Sequence, residues 1–352
     1  MTGGDNMKKI ISLITAFMLT AALLAGCGST GNGTADQTDK QENSGTQTQA
    51  EPVDVNVMAL KGPTAMGMVK LMDDADSGNV DTENYSFEIA ASADEVTPKL
   101  IQGETDIAAV PANLASVLYN KTEGQIQVLA VNTLGVLYIV ENGDSIHSVS
   151  DLAGRTIYAS GKGSTPEYAL NFILEKNGLT PGTDVTIEWK SEHSECVSAL
   201  AQDPEGIAML PQPFVTTAQA KNPNLKVALD LTEEWDKVME NEETKSSLLT
   251  GVVVVRKEFA EENPEAVEDF MDRYADSVKY VNDNVEEAAK LVGNYDIVTE
   301  DVAVKAIPEC NIVCITGEDM KEQLSGYLAV LKDANPESIG GELPGDDFYY
   351  IQ

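Results

Sequence analysis

Gln102-Gly-Glu-Thr-Asp-Ile-Ala-Ala-Val-Pro111 lines up in order and spacing with Gln202-Asp-Pro-Glu-Gly-Ile-Ala-Met-Leu-Pro211. Upstream of the first stretch stands Lys61-Gly62-Pro63-Thr64, and upstream of the second Lys162-Gly163-Ser164-Thr165, at nearly the same separation. Each unit therefore reads as a strand, a Lys-Gly-x-Thr turn, a helix, further elements, and a short strand ending in proline. Two matches in the same order imply two related lobes.

The turns carry the chemistry of that reading. Glycine permits a tight turn and close backbone approach, and Thr64 and Thr165 are expected to cap the helices that follow. Unpaired N–H groups at a helix start can hold an anion or a polar oxygen. Open α/β sheets present ligand sites beyond the carboxyl ends of their strands. Two lobes facing each other by those ends would enclose a cleft; the plainer alternative is that both threonines are ordinary caps.

Outward from the repeat, strands and helices alternate. Val53, Val55 and Val57 alternate with Asp54 and Asn56, and Tyr85, Phe87 and Ile89 mark a second half-buried strand. Strands are expected near 106–110, 125–131, 155–159, 185–189, 206–210 and 226–229. The continuous apolar run Leu134 to Val140 suits a strand covered on both faces, as does Gly251 to Val255. From Asn263-Pro264 the pattern becomes helical, with Val267, Phe270, Met271, Tyr274 and Val278 at helical spacing. The fold class is α/β with a helical C-terminal region. Roughly 300 folded residues exceed what one compact core usually holds, which also favours two lobes.

The N-terminus is separate. Lys8 and Lys9 precede an apolar run from Ile10 to Leu24, too short for a comfortable span of roughly 20 residues, and Leu24-Ala25-Gly26-Cys27 closes it. This resembles a bacterial lipoprotein signal. The resemblance implies cleavage before Cys27, lipidation of its sulfur, palmitate among the acyl groups, and a signal peptide over residues 1–26. Met7 is a more natural start than Met1. Residues 27–52, rich in Gly, Ser, Thr, Gln and Asn, read as a flexible tether.

Charge and residue types exclude several classes. The chain carries 58 acidic and 23 basic residues. Removing Asp5, Lys8 and Lys9 with the signal leaves 57 against 21, a formal charge of −36. Such a field repels nucleic acid and anionic headgroups, so no nucleic-acid partner is expected and membrane contact comes through the lipid anchor alone. Two histidines, His147 and His193, cannot build a histidine-rich metal site with scattered thiols, and no metal or cofactor is expected. Cys310 and Cys314 flank Asn311-Ile312-Val313, which reads as strand and holds the sulfurs apart. There is no nucleophile elbow, Walker loop or His-Glu-x-x-His motif.

Leu60-Lys-Gly-Pro-Thr64, Gln102-Gly-Glu-Thr-Asp-Ile-Ala108, Val149-Ser-Asp-Leu-Ala-Gly-Arg-Thr-Ile157, Thr250-Gly-Val-Val-Val254 and Asn263-Pro-Glu-Ala-Val267, with the lipobox, carry a wider resemblance. Over roughly residues 53–335 the chain is similar to bacterial solute-binding lipoproteins of ABC importers, of the nitrate/sulfonate/taurine and thiamine-precursor type. That implies a periplasmic-binding-protein-like type II fold with two α/β lobes and a two-strand hinge. Lobe one would be 53–138 plus 250–352 and lobe two 139–249. It implies a monomer on the outer face of the cell membrane that closes on a small solute and delivers it to permease and ATPase subunits. An enzyme on the same fold, of the thiamine-pyrimidine type, and a ligand-sensing lipoprotein are the alternatives.

Ligand-binding candidates are Gly62, Pro63, Thr64, Ser92, Asn113 and Thr133 from lobe one. From lobe two they are Gly163, Ser164, Thr165 and Gln212. Lys61 and Lys162 could offer charge, Trp189 and Trp235 could stack on a ring, and Tyr168 fits core or cleft. The three arginines, Arg155, Arg256 and Arg273, form no evident bidentate clamp. A neutral, zwitterionic or heteroaromatic solute is therefore favoured over a strong anion.

Overall fold

The computed structural model describes residues 52–242 and 246–351. The signal segment, Cys27 and the tether up to residue 51 lie outside the described residues. The chain opens with β1 (Val53–Leu60), α1 (Pro63–Met66), α2 (Val69–Asp76), β2 (Glu83–Ala90), α3 (Ala93–Gln102), β3 (Ile107–Pro111), α4 (Ala112–Lys121) and β4 (Ile126–Leu134). It continues with β5 (Leu137–Glu141), β6 (Thr156–Ala159), α5 (Thr165–Lys176), β7 (Thr186–Trp189), α6 (His193–Gln202), β8 (Ile207–Pro211), α7 (Phe214–Lys221), β9 (Lys226–Asp230) and α8 (Leu231–Met239). The return comprises β10 (Leu249–Arg256), α9 (Lys257–Glu262), α10 (Pro264–Asp283), α11 (Val285–Asn294), α12 (Glu300–Ala306), β11 (Ile312–Ile315) and α13 (Gly317–Ala334).

Two sheets result, ordered β11-β4-β10-β3-β1-β2 and β7-β6-β8-β5-β9. Their central parts have one plan. In each, a repeat-bearing strand (β3 or β8) lies between a parallel strand (β1 or β6) and an antiparallel one (β10 or β5). The antiparallel strand is in each case the first strand after the chain changes sheet. β3 and β8, the matched Ile-Ala-x-x-Pro segments, bury the same four residues and leave proline half-buried, as strands covered on both faces do.

The apolar run Leu134 to Val140 is not one strand. It breaks at Gly135-Val136, so β4 ends in the first sheet and β5 begins the second. The break is held from three sides. Asn311 Nδ2 donates to the Gly135 carbonyl, Thr250 Oγ1 donates to that of Leu134, and Leu134 pairs with Leu249. A Cβ on Gly135 would lie 2.0 Å from Thr232 Oγ1 and 2.9 Å from its Cβ. The residue is glycine because the first turn of α8 packs directly on this crossing.

One hydrophobic core runs through both sheets. It joins Val110 and Val254 of the first sheet to Ile139 and Met209 of the second, through Tyr327, Leu328 and Leu331 of α13. Trp235 sits at this join, its ring centroid 4.7 Å from Phe172 and 5.7 Å from Tyr327, and its Nε1 donates to the Ser246 carbonyl. With none of its surface exposed, Trp235 is not a stacking platform for a solute. Trp189 is half-buried against the same core. A second core lies between the other face of the first sheet and α10 to α12, centred on Phe270 and Tyr274.

Gly135→Ala is expected to cost about 1–3 kcal/mol of unfolding free energy, because the new methyl overlaps Thr232. Urea denaturation measures it. Adding Thr232→Ala should recover part of the loss, since Oγ1 and Cγ2 are among the atoms the methyl meets.

Candidate functional site

The register places both sheets' polar edges together. Gly251 pairs with Pro111 and Leu249 with Leu134, so the start of β10 stands at the carboxyl ends of β3 and β4. Leu137 pairs with Pro211 and Tyr138 with Asp230, so the start of β5 stands at the carboxyl ends of β8 and β9. Only Gly135 and Val136 separate β4 from β5. The two carboxyl edges therefore meet.

Asn113 and Thr165 make the contact between them. Thr165 Oγ1 donates to Asn113 Oδ1 at 3.2 Å, while Asn113 Nδ2 donates to the Ser338 carbonyl. Both side chains are buried. The buried hydroxyl of Tyr327 has no hydrogen-bond partner among the described residues, although Thr165 lies beside it.

Thr64 and Thr133 share the next corner. A Cβ on Gly251 would lie 2.4 Å from Asn132 Oδ1, 2.9 Å from Thr64 Cγ2 and 3.3 Å from Thr133 Oγ1. Glycine at 251 is what lets Asn132 and the first turn approach. Thr133 Oγ1 donates to Asn132 Oδ1, whereas Asn132 Nδ2 is buried without a hydrogen-bond partner among the described residues. Neither Asn132 nor Tyr327 figures among the sequence candidates. Asn132 precedes Thr133 in an alternating strand, which assigns it to the opposite face.

The helix-capping role of the two threonines is corrected. Gly62, at φ 139°, is the N-cap of the four-residue α1, and Thr64 lies inside that helix, its hydroxyl donating back to Leu60 O. Ser164 is the N-cap of α5; its hydroxyl donates to Gly161 O and makes no cap bond. The N–H of Gly163, expected to be open to a ligand, donates to Glu167 Oε2 of its own helix at 2.6 Å. An anion at that turn would compete with a carboxylate already in place. Gly62 is buried, Pro63 half-buried, and Gly163 exposed on the rim. Ser92 is exposed and bonds Glu95 Oε1. Tyr168 is half-buried against the shared core.

Gln212 stands elsewhere along the edge. Its Oε1 accepts from the N–H and hydroxyl of Thr216, and it lines a cavity of about 560 Å³ with Tyr138, Asp230, Lys305 and Glu309. His193 also belongs to this edge, at the start of α6. The repeat offset of one hundred makes it the counterpart of Ala93, the first residue of α3. Its Nδ1 shares a hydrogen bond with Ser160 Oγ, and its ring lies 4.9 Å from that of Phe214. Burial lowers its pKa to about 4.

No arginine reaches the site. Arg155 donates to Ser145 Oγ and Glu205 O, Arg256 to Asp106 and Glu258, and Arg273 to Asp269 and Thr82. Arg155 and Arg256 stand at the far edges of the sheets. Lys61 and Lys162 are exposed. Among the described residues no three His, Cys, Asp or Glu side chains are grouped to hold a metal ion, and Cys196, Cys310 and Cys314 are free thiols.

Two matched α/β halves meeting edge to edge over a polar seam define a two-lobed binding protein. A family model described as the periplasmic substrate-binding protein of a phosphonate ABC transporter matches residues 79–297, and the chain belongs to that family. It is an extracytoplasmic substrate-binding component of an ABC importer, a class that takes small solutes and works with a membrane permease. The fold is that of an ABC transporter protein from Parabacteroides distasonis, with TM-score 0.69 and 22% identity over 85% of this chain and 99% of that one. It is also that of the Escherichia coli periplasmic aliphatic sulphonate binding protein SsuA, with TM-score 0.65 and 14% identity over 86% and 94%. The alkanesulfonate-binding protein SsuA of Xanthomonas axonopodis pv. citri, bound to MOPS, gives TM-score 0.62 and 14% identity over 84% and 96%. No curated protein sequence matches the chain. Among the described residues no helix is long and apolar enough to cross a membrane.

The buried imidazole has a pH signature. The folded pKa of His193, about 4, lies below its ordinary 6.5, so the unfolded chain takes up the proton first on acidification. The stability due to the neutral ring is complete above about pH 6.5 and is lost as pH falls towards about 4. Urea midpoints across that window should fall in the wild type, and His193→Asn should remove this contribution to the slope.

Proposed function

We propose that this protein is a lipid-anchored, monomeric solute-capture lobe pair, held through acylated, palmitate-bearing Cys27 on the outer face of a bacterial cell membrane. Its N-terminal residues 1–26 are the cleaved signal and 27–52 the tether. Lobe one, expected at 53–138 plus 250–352, is taken as 53–136 plus 249–352, and lobe two, expected at 139–249, as 137–248, because β5 opens the second sheet and β10 rejoins the first, with the hinge at the paired crossings beside Leu134 and Leu249. Solute enters between the lobes, closure buries it, and the permease with its ATPase receives it from the closed form. Gly62, Pro63, Thr64, Ser92, Asn113 and Thr133 form one wall, and Gly163, Ser164, Thr165 and Gln212 the other.

The observation that carries this reading is the Asn113–Thr165 contact between two strand edges of the same plan. A ligand touching both edges stabilises closure because it gains contacts in that state alone. The engagement of all three arginines elsewhere supports a neutral, zwitterionic or heteroaromatic solute over one held by a guanidinium fork.

A melting-shift panel of small metabolites tests it. A true solute at a hundredfold over its Kd adds about 2.7 kcal/mol of stability, and Thr165→Val should weaken its binding about fivefold or more by removing one buried hydrogen bond. Silence across a broad panel would count against capture. For the anchor, labelled palmitate should enter the wild type in cells and leave Cys27→Ser unlabelled and released from membranes.

A further inference from the structure

Every hydroxyl among the candidate residues of the two walls has already given its hydrogen away. Thr64 Oγ1 donates to the Leu60 carbonyl and Ser164 Oγ to the Gly161 carbonyl, each at 2.7 Å. Ser92 Oγ donates to the Glu95 carboxylate at 3.3 Å. Thr133 Oγ1 donates to Asn132 Oδ1 at 3.0 Å, and Thr165 Oγ1 to Asn113 Oδ1 at 3.2 Å. Carbonyl oxygens and ionised carboxylates only accept, so the direction of these bonds is fixed by chemistry.

The two amides are oriented by their other ends. Asn113 Nδ2 donates to the Ser338 carbonyl, which leaves Oδ1 to face Thr165. Asn132 Nδ2 lies beside the buried Tyr274 hydroxyl, which leaves Oδ1 for Thr133. The Gly163 N–H is spent as well, on Glu167 Oε2.

The other half of each hydroxyl is left over. A hydroxyl oxygen has two lone pairs, and none of these five accepts a hydrogen bond among the described residues. Thr133 and Thr165 are each 1% exposed, so their lone pairs are shielded from water. A separate observation marks the same corner: the Tyr327 hydroxyl, fully buried beside Thr165, has no hydrogen-bond partner among the described residues. A buried polar atom left unpaired costs free energy that a matching group on a solute would return.

We infer that the transported solute is recognised through its own N–H or O–H groups, accepted by Thr133 on one wall and Thr165 on the other. The assignment rests on the capture reading above and narrows it to solutes that donate hydrogen bonds. A solute with acceptor oxygens alone, such as a sulfonate or nitrate, must draw a hydroxyl hydrogen away from Leu60, Gly161 or an asparagine. Each such turn leaves a protein acceptor unpaired, and the walls thereby reject it.

Taurine with ethanesulfonate, glycine with glycine betaine, and uracil with 1,3-dimethyluracil are matched pairs whose second member lacks the N–H donors. The first pair loses bulk and the other two gain it, so size does not account for a shared preference. They are titrated into the full chain by calorimetry, with each solute found in the melting-shift panel and its N- or O-methylated analogue. In every pair that binds, the donor-bearing member should bind about tenfold tighter. Thr165→Val should weaken that member about fivefold more than its donor-free partner, whereas Thr165→Ser, which keeps the oxygen, should preserve the gap. A purely structural role for Thr165 would weaken both members alike. Equal binding within the pairs, preference for the donor-free member, or equal losses in Thr165→Val overturns the assignment and leaves capture standing. No binding by any pair or panel solute overturns both.

Discussion

Gly135 and Val136 are all that separates the last strand of one sheet from the first strand of the other. Two residues span only about 7 Å. The carboxyl edge of β4 must therefore lie against the leading edge of β5, and the antiparallel register of β5 with β8 turns the second sheet's carboxyl edge towards the first. The return runs through α8 and is longer, but it reaches the same place, since Leu249 is already paired with Leu134 where β10 begins. The polar seam follows from the short first connection and the adjacent return. Every side chain placed at a strand's carboxyl end is delivered to it.

The same shortness shapes the packing. Lobes joined by two adjacent crossings would swing freely if nothing else touched, yet α13 continues the core from one sheet to the other through Tyr327 and Trp235. This aromatic join lies on the α5–α8 side, whereas the open cavity lies on the α7–α12 side. Apolar contact on one flank and polar space on the other make closure asymmetric. Opening at the dry flank would expose buried ring surface, at about 25 cal/mol per Å². Opening at the wet flank breaks the bond from Tyr138 to Glu309 and separates α7 from α12.

The architecture was legible in the sequence because the repeat is carried by buried strands, where burial on both faces restricts residue choice. Ile107-Ala-Ala-Val-Pro111 and Ile207-Ala-Met-Leu-Pro211 keep their match for that reason. The turns were legible as turns but not in their bonding. Whether a threonine caps a helix or bonds backwards depends on where the first helical turn starts, and Gly62 starts it two residues before Thr64. Glu167, which occupies the Gly163 N–H, is an ordinary first-turn acid in sequence terms. Asp230 and Glu309 lie far apart along the chain and meet at one cavity through the return of α12 across the seam, a placement no local pattern encodes.

Charge placement then separates surface from site. A chain at −35 would be expected to spread repulsion evenly, and most of its acids do face solvent. Its three arginines are spent on fixed carboxylates, hydroxyls and carbonyls away from the seam: Arg256 on buried Asp106, Arg273 on Asp269, Arg155 on Ser145. With the guanidinium groups so committed, the seam keeps amides, hydroxyls, two exposed lysines near the turns, and the carboxylates of the cavity. An anion entering between the lobes would lose water without gaining a bidentate donor, and would approach a surface of its own sign. The net charge of −35 therefore sets the sign of the long-range field around the lobes, and that field weakens as ionic strength rises.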